Sequence, residues 1–431
     1  MLFSLDRSIQ LELIPRLENE VGTLSAKERE FVRVVELAQV DKHMGPYRWS
    51  GKGRKPIDRK PFVLAFIAKA VWNFPTTRLL IDYLKTSRTL RFLCGWDEPS
   101  DIPGEYLFSR AFAAFAEGRL PELIHESMVR RGFENRIVGH ISRDSTAIIA
   151  REKPTRKADA ALQLDSTGEE AGSIPQQILE LMPKYPAPKR TRQGKSARVL
   201  PTKAIDVILR DMRDGIRKGA LRKNVGEQIA KGAGKKAAKM RTRRRKASAS
   251  EPKRLELQCN RGLEENLSDL PKQCNVGAKR NSKGNYSFWI GYKFHIDVTD
   301  CDIPVSAVLT SASVHDSQVA IPLMQMTTGR VIYLYEIADS AYDAKSIKDC
   351  SLAFDHVPIT DPNKRGGEAV PLEPTEQIRY RQRSSVERVN SNLHDNYGGR
   401  FVRVRGHKKV MAHLMFGLVA LTANQLYRLL E

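Results

Sequence analysis

From Phe288 to Val298 every second residue is apolar: Phe288, Ile290, Tyr292, Phe294, Ile296 and Val298 alternate with Trp289, Gly291, Lys293, His295 and Asp297. A period of two over that span predicts a strand with one buried face, because a helix repeats its apolar stripe every three or four residues. Asp300-Cys301-Asp302 then supplies a turn, and Val305, Ala307 and Leu309 begin a return strand. Two further apolar stretches, Arg136 to Asp144 and Val331 to Asp339, also read as strands, and an aspartate ends each. These segments predict an α/β chain built on a mixed sheet flanked by helices.

Residues 1–135 carry a different pattern and read as an all-helical N-terminal domain, for DNA binding or dimerisation. Ser25-x-x-Glu28 is a capping box ahead of Phe31, Val34, Val35 and Ala38. Pro61 opens an apolar helix running to about Phe74, and Pro121 suits the first turn of another. No helix-turn-helix signal singles out a recognition helix.

The formal net charge is +22, and its location says more than its size. Residues 183–254 hold 24 Lys and Arg against 5 acids, so nearly the whole excess lies in one segment. Arg243, Arg244 and Arg245 form its densest run. Such a block neutralises phosphates without reading sequence. Residues 166–274 are therefore read as a basic insertion, mostly helical or partly disordered, and a candidate DNA clamp. A solvated tract is the plain alternative. Lys364-Arg365-Gly366-Gly367 reads as a second, shorter basic loop.

Asp144, Asp339 and Glu387 are the candidate catalytic and metal-binding acids. Two aspartates at strand ends and a glutamate on a helix can converge on hard divalent cations, Mg²⁺ or Mn²⁺, which take oxygen ligands. On the helix around Glu387, Tyr380, Arg383, Asn390 and His394 fall at −7, −4, +3 and +7 and share its face if the helix begins as early as Tyr380. Val386, Val389 and Leu393 form the separate apolar stripe that would pack on the sheet. A guanidinium in the polar row matches phosphate oxygens well. The same row also reads as a solvated face with an Arg383–Glu387 pair. His315 and Asp316 could line the site or simply make a turn, and Asp343 reads as a surface residue.

Tyr380, two residues, Arg383, three residues, Glu387 resembles the Tyr–Arg–Glu–Lys box of DDE-type insertion-sequence transposases, with His394 where that box has lysine. Arg-Asp-Ser-Thr-Ala around Asp144 and Ala-Asp-Ser-Ala-Tyr-Asp around Asp339 resemble the two aspartate blocks of that family. Gly291-Tyr292-Lys293-Phe294-His295 and Ser313-Val314-His315-Asp316-Ser317 are similar to further blocks, and Phe108-Ser109-Arg110 is reminiscent of the same group. The resemblance implies a ribonuclease H-like catalytic core over 136–165 and 275–431. It implies metal-dependent cleavage of double-stranded DNA at element ends and strand transfer into target DNA. Tyr380, Arg383 and His394 would hold the DNA strand, and pairing of two ends would make a homodimer. A nuclease of the same fold without strand transfer, or a catalytically decayed DNA-binding protein, are the alternatives.

Nothing in the sequence indicates secretion. Met1 to Asp6 lacks the order of a signal peptide, and the longest apolar stretch, Val410 to Leu421, is short for a bilayer and reads as a core helix. Five cysteines without a Cys-x-x-Cys pair argue against a zinc site or a disulfide framework. A cytoplasmic protein acting on chromosomal or plasmid DNA, with no membrane partner, is the expectation.

Overall fold

The computed structural model describes residues 6–45, 57–154, 254–280, 285–363, 370–400 and 402–429. The run Arg243–Arg245 and the loop Lys364-Arg365-Gly366-Gly367 lie outside them.

Strand β1 (Ile137–Ile149) sits inside the sheet. On one side it pairs antiparallel with β3 (Tyr286–Thr299), and on the other parallel with β5 (Ile332–Ala338). Parallel β6 (Val357–Thr360) extends the β5 side. On the far edge of β3, β2 (Asn275–Arg280) pairs with its first half and β4 (Pro304–Ser311) with its second. The result is a six-stranded mixed sheet. Its two parallel joints need crossovers, which the helices between β4 and β5 and between β5 and β6 provide.

Among the described residues seven α-helices precede β1: α1 (Ile14–Val21), α2 (Ala26–Ala38), α3 (Lys60–Val71), α4 (Thr77–Thr86), α5 (Arg88–Leu93), α6 (Glu105–Glu117) and α7 (Leu120–Gly132). Around the sheet lie α8 (Arg254–Gln258), α9 (Leu263–Asp269), α10 (Ser317–Thr328), α11 (Lys345–Ala353), α12 (Pro374–Tyr380), α13 (Ser384–Asn396) and α14 (His407–Arg428). The capping box at Ser25 forms: the Glu28 carboxylate accepts from the Ser25 backbone N–H at 2.8 Å, and Glu28 N–H donates to the Ser25 hydroxyl at 3.3 Å. A cap of this kind contributes about 1 kcal/mol to the helix it starts.

Helix α14 is apolar on nearly every side because it is a shared wall. Phe416 meets Phe66 of α3 and Phe112 of α6, with ring centroids 5.8 and 6.2 Å apart. The same buried cluster continues through Val386 and Leu393 of α13 to Phe294 and Ile296 of β3, so the N-terminal helices and the sheet share one core. The apolar run read from sequence is only part of this helix. At 22 residues α14 is long and apolar enough to cross a membrane, yet 83% of its apolar window is buried against the protein.

Strand β3 departs from the one-sided expectation. Its first residues stand out of the core, with Phe288 70% exposed, whereas His295, Asp297 and Thr299 on the supposed solvent face are fully buried. The reason is that helices cover both faces of the inner sheet. Helix α13 packs on one, and α10 packs on the other, where the Thr327 hydroxyl donates to Asp297 at 2.7 Å. Residues 254–274, placed by the sequence reading within the basic insertion, also pack on the core. Leu263, Leu267 and Leu270 join Val319 and Leu323 of α10, and the Gln258 amide donates to the Gln318 carbonyl at 2.8 Å.

Glu122 of α7 is 8% exposed, and its Oε2 has no hydrogen-bond partner. Burial pushes its carboxyl up from 4.5 to about 7, so the folded state holds a proton that the unfolded chain releases. The stabilisation from that proton is complete below about pH 4.5 and is lost as pH rises through about 7. Glu122→Gln is accordingly expected to raise stability by about 2 kcal/mol near pH 8 and to change little near pH 4. Urea unfolding at the two pH values checks this.

Candidate active site

The parallel register of β1 and β5 places two acids side by side. Arg143 pairs with Ala338, so the next residues, Asp144 and Asp339, are neighbours where β5 ends. Asp144 itself is not at a strand end, as the sequence suggested. It lies inside the 13-residue β1, which runs on to Ile149 because β3 continues to pair with it. Asp339 does leave its strand. Its Oδ1 accepts from the Ala341 backbone N–H at 2.9 Å, capping the short turn Ser340–Tyr342.

The third acid comes from the C-terminal helices. These do not form one continuous α-helix from Tyr380: α12 ends there, a 3₁₀ turn covers Arg381–Arg383, and α13 begins at Ser384. Polar contacts from the turn and α13 dock this run on β1. The Ser142 hydroxyl donates to the Gln382 carbonyl at 3.1 Å, Arg383 reaches Asp144, and His394 Nε2 lies 2.9 Å from the Thr146 hydroxyl. Ser142, Asp144 and Thr146 are alternate residues on one face of the strand. Val386, Val389 and Leu393 are buried beneath, as their spacing predicts.

The Arg383 guanidinium is the centre of the arrangement. Its Nη2 lies 4.0 Å from Asp144 Oδ2 and 3.9 Å from Asp339 Oδ2, and its Nη1 donates to Glu387 Oε1 at 2.7 Å. Side-chain exposure rises from 17% at Asp144 through 36% at Asp339 to 57% at Glu387. The site therefore opens to solvent on the glutamate side. Burial pushes the Asp144 carboxyl up to about 6, and the neighbouring Asp339 adds to this, while Arg383 and Lys279 pull the other way. Burial works against the Arg383 charge, but Asp144, Tyr380, Asp339 and Glu387 together outweigh it. Tyr380 is pushed up to about 12, chiefly by burial, and stays a protonated donor. His394 is shifted down by burial and by Arg400, so its imidazole is neutral near pH 7.

Sequence reasoning missed what supports Asp144 from the opposite face. Arg143 is 3% exposed and forks onto Asp297, with Nε to Oδ1 at 2.8 Å and Nη2 to Oδ2 at 2.7 Å. It also approaches Glu336 at 3.4 Å, and the Tyr333 hydroxyl donates to Glu336 at 2.5 Å. Next to this group, Asp316 accepts from Ser145 at 2.9 Å and from Lys293 at 3.1 Å. Asp316 is thus a half-buried strut, whereas His315 forms a local turn with Ser317. Asp343 accepts from the Asn363 backbone N–H at 2.8 Å and pairs with Lys348. No local pattern signalled this buried group, since alternation placed Asp297 on the solvent side of its strand.

Three carboxylates are a hard-oxygen donor set, and they already surround one cationic group. They converge on Arg383 rather than on one another: among the described residues, no group of three or more His, Cys, Asp or Glu is gathered closely enough to hold a metal ion. The donor chemistry fits a divalent cation in the place the guanidinium now takes.

Residues 268–423 match the family model described as Transposase DDE domain. The matched span includes Asp339 and Glu387 and leaves out Asp144 and the N-terminal helices. No curated protein and no solved structure matches the chain. The family match supports a DDE-type DNA transposase, from a family that generally uses a divalent metal and acts on DNA.

Proposed function

We propose that this chain is a cut-and-paste transposase of the Tyr–Arg–Glu–Lys branch, with His394 in the lysine position. It would cleave double-stranded DNA at element ends and join those ends to target DNA. The observation that carries this reading is the meeting of Asp144, Asp339 and Glu387 around the single Arg383 guanidinium, from three separate segments. The strand order and acid placement agree with a ribonuclease H-like core over 136–165 and 275–431. The helices of 1–135 would bind DNA or hold a homodimer, and the basic tract would hold DNA in the cytoplasm.

Asp144, Asp339 and Glu387 would hold Mg²⁺ or Mn²⁺, which supplies charge stabilisation at the attacking and leaving oxygens of a phosphoryl transfer. The rest falls to the protein. Arg383, released from the carboxylates, forks onto a non-bridging phosphate oxygen of the bound strand. Tyr380 keeps its proton and donates to the same backbone. The buried Arg143 group holds β1 in register, so that Asp144 presents its carboxylate at a fixed point. In the first step a water oxygen attacks phosphorus, the bond to the 3′ oxygen breaks, and a 3′-hydroxyl is left. In the second step that hydroxyl attacks a target phosphodiester and displaces its 3′ oxygen. Bonds exchange one for one, so no nucleotide cofactor is required.

The test is incubation of the full chain with Mg²⁺, DNA bearing the native element ends and a circular target. Joined products are expected. Nicks without joining would favour a nuclease of the same fold. Binding without nicks would favour a decayed DNA-binding protein.

A further inference from the structure

We propose that two adjoining segments, 151–153 after β1 and 402–409 leading from α13 into α14, form a basic track for duplex DNA beside the candidate active site. Arg151, Lys153, Arg403, Arg405 and Lys409 would meet its phosphates. The inference rests on the DNA-transposase reading and adds to it the surface along which the duplex runs.

Local alternation fixes which side chains face outward. Val402 is 6% exposed and Val404 packs against the common core, while Arg403 and Arg405 are exposed. In the other segment Glu152 is the inward residue, with Arg151 and Lys153 exposed on either side of it. Its carboxylate accepts from the Gly406 backbone N–H at 2.8 Å and from the Tyr292 hydroxyl at 3.2 Å. The bond to Gly406 ties the two segments together, so their cations are neighbours on the surface.

The charge is left for a partner. No acid occurs between Asp395 and Glu431. Arg400 pairs with Asp395 and Lys408 with Glu117, but among the described residues the five cations of the track have no ion pair. Lys409 stands in the first turn of α14, where the helix dipole opposes a positive charge. Stability of the fold therefore does not account for the cluster, whereas a polyanion does. Because Glu152, Val402 and Val404 anchor both segments, their cations meet phosphates at a lower ordering cost than those of a solvated tail.

The track also stands where a bound duplex would pass. Strands β1 and β5 are parallel, Asp339 follows the end of β5, and Arg151 follows the end of β1. Acids and cations thus lie at the same end of the sheet. Arg151 is seven residues from Asp144 and hence at most about 25 Å away. Helix α13 carries Glu387, meets β1 where His394 lies 2.9 Å from Thr146, and leads into the second segment. A duplex with its scissile phosphate at the acids would cross the track within about seven base pairs.

The experiment measures binding of the full chain to a fluorescent duplex over a range of salt concentrations. EDTA is present throughout, so the readout does not depend on catalysis. The variant Arg151→Gln/Lys153→Gln/Arg403→Gln/Arg405→Gln removes four exposed charges. Its slope of log affinity against log salt is expected to be shallower by about 3 to 4, and its affinity lower by more than about tenfold at low salt. Arg403→Lys/Arg405→Lys keeps the charge and should keep the wild-type slope. Equal slopes for wild type and the glutamine variant overturn the proposal. So does a loss of affinity at unchanged slope, because it reflects something other than lost phosphate contacts. A wild type that binds no duplex overturns this proposal and the transposase reading together. A wild type that shows the slope difference yet cuts no element-end DNA in Mg²⁺ counts against the transposase reading alone.

Discussion

Asp144→Asn is expected to lower DNA cleavage by more than about a thousandfold while DNA binding stays near wild type. The side chain changes by one atom and keeps its size, so β1 and its register are retained. What is lost is the negative charge at the most buried of the three acids. At Asp144 the protein bears a real cost: burial and Asp339 both oppose ionisation, and the Ser145 backbone N–H, Arg383 and Lys279 only partly offset them. A buried carboxylate beside another carboxylate is poorly explained by stability, and holding a cation is the simplest reason for it. The amide should therefore also make the fold slightly more stable above about pH 6, where the carboxylate would otherwise be charged. Gel analysis of nicked DNA and a urea melt check the two parts. Cleavage within about tenfold of wild type would remove Asp144 from the mechanism.

The second large effect concerns Arg143, next to it in sequence and on the opposite face. Arg143→Met is expected to destabilise the fold by about 3–5 kcal/mol. Asp297 is fully buried and Glu336 is 5% exposed, and among the described residues Arg143 is the only cation that pairs with either. Methionine leaves two carboxylates without a counter-charge, and burial already pushes Asp297 up. Asp297 would then take up a proton more readily, so the loss should be smaller near pH 5 and larger near pH 8. Replacing Arg143, Asp297 and Glu336 together with apolar residues should recover much of it, because desolvation of the whole group is then avoided. A urea midpoint unchanged in Arg143→Met would show that the network contributes nothing to the fold.

These two neighbours also show what a sequence can and cannot reveal. Asp144 and Asp339 were legible because each closes an apolar run, and Glu387 because its helix repeats Val386, Val389 and Leu393. The capping box at Ser25 and the β3–β4 hairpin were legible for the same reason, since each is written in local spacing. Arg143, Asp297 and Glu336 were not. Alternation assigns every second residue of a strand to solvent, and here α10 covers that side, so the polar residues are buried in partnership with one another. The position of Asp144 within β1 depends on how far β3 pairs along it, which no local pattern states. The 3₁₀ turn at Arg381–Arg383 is likewise a product of docking on β1, through Gln382 and Ser142. Arg383 was read as a phosphate ligand or as half of a surface pair. Its place among all three acids emerges only when three distant segments are brought together.

The most direct measurement is Mg²⁺-dependent cleavage of DNA carrying the native element ends, comparing wild type with Glu387→Gln. Glu387 is the most exposed of the three acids, so its substitution should leave the fold and DNA binding unaffected. The account predicts nicking by wild type in Mg²⁺, none in EDTA, and at least a hundredfold less, roughly, by the variant. Equal cleavage by both proteins, or cleavage by wild type that persists in EDTA, would contradict a metal-dependent site built from Asp144, Asp339 and Glu387.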